Sequence, residues 1–293
     1  MKLSQYTLLF LSIFLVFSGL ADTKSEVLGA AINEKIRMDE YVGRAVDEAL
    51  EKLIVYDGGG EVLIDKEEVV EEFFLSLESS LGILDDKQAK ERLRQYFPVM
   101  VILDYDGFYI RYARELSGEQ GIVIEYVWTE KQYYVREDEL TACRFEEGGT
   151  ILLIDKTGLI TGEKGTIRRM DYRELAGEEY EAFQREEPGS FLLSDEAFLA
   201  EKRNTVTRLI EDRLQYYCTE HNKIAVRLGI GYEFYFPDLD ASEENRAIPE
   251  IGLLAVFQGY PLKGTRGIPY ERFVLSGAYL RKESDSMEES GAR

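Results

Sequence analysis

Two carboxylates stand two residues apart at the end of an apolar run in Val101-Ile102-Leu103-Asp104-Tyr105-Asp106-Gly107-Phe108. A carboxylate at a strand end can attack phosphorus while Mg²⁺ neutralises the charges, and a second carboxylate can protonate the leaving group. The same residues also make a tight turn, because Asp-Gly between alternating apolar segments is a strong hairpin signal. Asp155, in Ile154-Asp155-Lys156-Thr157-Gly158, likewise follows a strand and precedes a turn. Asp238, Asp240, Glu243, Glu244 and Asn245 offer oxygen ligands for Ca²⁺, but their spacing matches no EF-hand, so a solvated acidic loop is the expected reading. Gly229-Ile230-Gly231 lacks the third glycine of a dinucleotide fingerprint.

The remaining chemistry-bearing residues are few. His221 is the only histidine, so a zinc site or a nucleophile-histidine pair would rest on that one residue, which is expected near a helix end as a C-terminal cap. Cys143 and Cys218 are the only cysteines. Two readings stand for them: one disulfide closing a long loop, worth about 4 kcal/mol, or two free buried thiols. No cofactor and no metal site is expected.

The Asp104 stretch resembles the first motif of haloacid-dehalogenase-like phosphohydrolases, which implies a Mg²⁺-dependent enzyme with Asp104 as the nucleophile and Asp106 as the general acid. The family has Thr where Phe108 stands, and an alternating α/β sheet after it. Ile154–Thr161 resembles the phosphorylated motif of P-type ion pumps, with Leu159 departing from it and no bundle of membrane helices in the chain.

The elements that would position these residues are legible as periods. Ser25–Tyr56 reads as an amphipathic helix through Leu28, Ile32, Ile36, Val42, Val46, Ala49 and Leu53. Taken as a stalk of about 32 residues, it would be about 48 Å long. Asp57-Gly58-Gly59-Gly60 ends it at a hinge. Asp65 caps a second helix with Glu68 three residues on, and Lys87–Tyr96 forms a third. The period then falls to two. Val99–Leu103, Phe108–Tyr112, Ile122–Trp128, Gln132–Arg136 and Thr150–Ile154 read as strands, with one face of Ile122–Trp128 well buried. Residues 171–190 read as a mobile connection or short helix. A long helix runs from Asp195 to about Glu220 with Ser194 as its cap. Gly231–Phe236, Gly252–Phe257 and Arg272–Leu275, running on to Tyr279, supply the last strands, and Lys282–Arg293 is expected to be disordered. The fold class is therefore α+β: a membrane helix and a stalk helix, then a mostly antiparallel sheet covered by one long helix. The divisions are 1–21 anchor or signal peptide, 22–57 stalk, 61–281 extracytoplasmic domain and 282–293 tail.

Compartment is read from Leu3–Ala21, an uncharged run of 19 residues between Lys2 and Asp22. That length is close to the roughly 20 residues that span a bilayer. Its flanking charges place residues 22–293 outside the cell. Either the run is a retained single-pass anchor, or it is a signal peptide cleaved after Ala21, where Gly19 and Ala21 are small. A formal charge of −21 argues against nucleic acid or anionic lipid as a partner, because both would be repelled.

Ile251–Pro261, followed by Tyr270–Tyr279, resembles the C-terminal end of single-anchor envelope proteins accompanying pilus-type or conjugative secretion systems of Gram-positive bacteria. The anchor, the acidic stalk helix and the Asp-Tyr-Asp-Gly-Phe-Tyr hairpin extend the resemblance along the chain. It implies a pilin-like or accessory structural subunit and carries over no catalytic residue; the expected partners are other envelope proteins, with self-association through the stalk helix as a further option. The expected function is thus a non-enzymatic, membrane-anchored extracytoplasmic protein. A secreted ligand-binding or sensor module, using the 19 tyrosines and 15 phenylalanines as a platform, and the phosphohydrolase are its alternatives.

Overall fold

Strand β3 (Val99–Asp104) organises the molecule, because Val99 through Leu103 are buried on both sides of its pleat. The computed structural model describes residues 29–53, 55–56, 62–118, 121–158, 162–227, 250–262 and 269–278. With β3 lie β4 (Gly107–Gly118), β5 (Gly121–Trp128), β11 (Ile251–Pro261) and β12 (Pro269–Ala278), in the order β12-β11-β3-β4-β5 and antiparallel throughout. The short β6 (Gln132–Tyr133) pairs with β4. A second antiparallel sheet has the order β10-β9-β8-β7, from Thr166–Asp171, Thr150–Asp155, Thr141–Phe145 and Val135–Glu137. The α+β class and the antiparallel pairing are as the periods predict, but there are two large sheets where one is expected.

Alternation along β3 sends its side chains into two cores. Met100 and Ile102 join Leu253, Ala255 and Phe257 of β11 beneath three N-terminal helices: α1 (29–53), α2 (Lys66–Ser80) and α3 (Lys87–Gln95). Phe73, Phe74 and Phe97 meet edge to face there, and Phe97 stacks on Phe257 at 4.2 Å. Val99, Val101 and Leu103 face the other way, into a core shared with Phe145, Ile151 and Leu153 of the second sheet and with α5 (Asp195–Arg227). The six-stranded sheet is therefore the middle layer. As expected, α5 covers it, with Tyr217 at 4.4 Å from Tyr112, but it shares that face with the second sheet.

The expected free stalk is part of the helical layer instead. Met38, Val42, Ala45, Val46, Ala49 and Leu53 of α1 are buried in the first core, and Asp39 accepts a hydrogen bond from the Tyr270 hydroxyl at 2.6 Å and pairs with Arg272 at 2.8 Å, both on β12. From Met38 to Leu53 the buried stripe advances in steps of four and three, with Val46 beside Ala45. Ile32 and Ile36 fall off it, about half exposed, because successive steps of four drift around a helix by roughly 40° each. Helix 29–53 also stops short of the expected end. Val55–Tyr56 (β1) pairs antiparallel with Val62–Leu63 (β2); the expected hinge, with the glycines at 58–60, lies outside the described residues. The expectations for residues 1–28, for Gly231–Phe236, for the acidic loop at 238–245 and for residues 279–293 also lie outside them. Among the described residues no helix is long and apolar enough to cross a membrane.

Several boundaries differ for local reasons. Gln132–Arg136 is not one strand: the chain changes sheets at buried Tyr134, whose N–H donates to the Asp106 carbonyl at 3.0 Å and whose carbonyl accepts from Phe145. Ile124–Trp128 is only half buried or exposed, because β5 is the last strand of its sheet. Residues 171–190 are ordered into short turns and α4 (Glu178–Glu186), with Phe183 buried. Helix α5 continues seven residues past Glu220. Near the end of β11 the register against β12 shifts between Phe257 and Tyr260, where Gly259 takes φ of 73°, a value that favours glycine.

Candidate functional site

The hairpin from β3 to β4 holds Asp104 and Asp106 together as the sequence suggests, but around a lysine the sequence reading did not single out. Asp104 closes β3 opposite Gly107, so Tyr105 and Asp106 are the turn, one residue earlier than an Asp-Gly turn would place it. Gly107 is needed for space rather than for positive φ: a Cβ there would sit 2.4 Å from the Gln132 carbonyl oxygen. Lys131 Nζ donates to Asp104 Oδ2 at 2.7 Å and also contacts Asp106 Oδ1. Asp104 Oδ1 accepts from the Tyr105 N–H at 2.8 Å.

All three charged side chains keep about a fifth of their surface in water. Burial works to lower Lys131, but the hydrogen bonds and charges of the two aspartates outweigh it and hold the ammonium above the usual lysine value. The rings of Tyr109 and Tyr133 each lie 5.9 Å from Nζ, and Lys66 Nζ lies 4.1 Å from the Tyr109 ring centroid. The carboxylates thus converge on one cationic position, and an ammonium occupies it. What the cluster does in this arrangement is fasten the β3–β4 turn to the corner where the chain changes sheets. The chain after Asp106 continues as antiparallel strand, not as the helix of an alternating α/β sheet.

The other sequence candidates do not gather around it. Asp155, at the end of β9, is buried, and its Oδ1 accepts from the N–H groups of Thr157 at 3.1 Å and Gly158 at 2.7 Å. This is an Asx turn opening the β9–β10 connection. Cys143 on β8 and Cys218 on α5 are free thiols, not a disulfide, although both face the same core; burial pushes each up to about 12, which suppresses the thiolate. His221 is not a terminal cap. It lies within α5, buried, with Nδ1 lacking a hydrogen-bond partner, and burial lowers its pKa to about 4. Among the described residues no cluster of three or more His, Cys, Asp or Glu is arranged to hold a metal ion.

The sequence reading missed three charged groupings. Buried Glu146 pairs with Arg144 at 2.6 Å and Arg169 at 2.7 Å. Lys202 on α5 donates to the carbonyls of Glu146 and Gly148 and to Glu250, tying α5 to the turn before β9 and to the start of β11. Beneath α2, Glu71 forms a two-pronged pair with Arg94 at 2.9 and 3.0 Å, close to buried Arg111 of β4. The only sequence sign of the last was an arginine at an alternating position within an apolar strand. No protein-family model, curated protein or solved structure matches this chain.

Proposed function

We propose that the chain is a non-enzymatic extracytoplasmic protein, held on a membrane by residues 3–21, that serves as a structural or accessory subunit of a pilus- or secretion-type envelope assembly. The carrying observation is the position of α1. A helix described from residue 29, just beyond the uncharged run, has its apolar face locked into the core by residues 38–53 and by the Asp39 contacts to β12. An anchor at residues 3–21 would lie a few residues in sequence from a helix that is itself part of the domain core. Ile32 and Ile36, about half exposed on the outward side of this helix, offer a short apolar stripe for a neighbouring subunit or a second copy. The compensation of Asp104 and Asp106 by Lys131 supports a structural role for the pair most like a catalytic dyad.

The test is alkaline extraction of membranes from cells making the protein with its own N-terminus, with intact mass measured on the product. The expected result is a chain retaining residues 1–21 in the pellet and cleaved by protease added outside the cell. A soluble product lacking residues 1–21 identifies a secreted domain instead, and a full-length chain in the cytoplasmic fraction overturns the reading altogether.

A further inference from the structure

We draw no further inference here: the strongest candidate, the outer edge of β5, which among the described residues pairs with β4 alone and holds Ile124, Tyr126, Val127 and Trp128 only half-buried, carries nothing because nothing in the structure shows what covers it.

Discussion

Burial of His221 makes one imidazole a pH-dependent load on the fold. Its ordinary pKa of 6.5 falls to about 4 in the native state because burial penalises the charged form. Between these values the unfolded chain binds more protons than the folded one, so stability rises with pH across that window. The contribution is complete above about pH 6.5, is lost as pH falls towards 4, and changes no further below. His221→Leu removes the titration. In urea unfolding at pH 7, 5 and 4, the wild type should lose up to about 3 kcal/mol more than the variant. Residue chemistry of this kind was only partly legible in the sequence. The caps at Asp65 and Ser194 were readable because their partners are their own next residues: Asp65 accepts from Glu67 and Glu68, and Ser194 from Ala197. Lys131 as the partner of Asp104, and Arg111 as a buried cation, depend on which strands come together, and no local pattern encodes that.

At the scale of elements, α1 is fixed by a polar contact as well as by its apolar face. Asp39 is one acceptor serving two groups of β12, the Tyr270 hydroxyl and Arg272. Tyr270 is almost wholly buried, and Asp39→Ala leaves its hydroxyl without this acceptor. The expected cost is about 2 kcal/mol, seen as a lower denaturation midpoint with little change in the slope of the urea transition. Hydrogen exchange should quicken first in residues 29–38, the part of α1 with the fewest buried side chains. Helices and the central strands were legible because their periods are long or their runs uninterrupted. Strands β8 and β10 were not: Thr141–Phe145 contains Cys and Arg, and Thr166–Asp171 contains two adjacent arginines, so neither presents enough apolar positions to show a period of two. They are strands because their neighbours supply the pairing.

At the scale of the molecule, the helices before β3 are not an appendage. Six residues of α1 sit in the same core as Phe73, Phe74, Met100 and Phe257. A chain beginning at Glu61, where the sequence alone suggests a domain boundary, would expose that entire surface. It should aggregate or lack near-ultraviolet dichroism, whereas a chain beginning at Asp22 should unfold in a single cooperative transition; soluble, cooperatively folded protein from Glu61 would show that α1 is dispensable.

The place of β11 also bears on how the protein is made. Strand β3 emerges from the ribosome early and can pair at once with β4, yet its other flank is filled only by β11, near the end of the chain. Until then a strand buried on both faces presents a row of open backbone donors and acceptors, the kind of surface on which chains join one another. Completion of the fold must therefore wait for the last strands to be synthesised, and a ribosome stalled anywhere between β4 and β11 would hold a nascent chain in need of a chaperone.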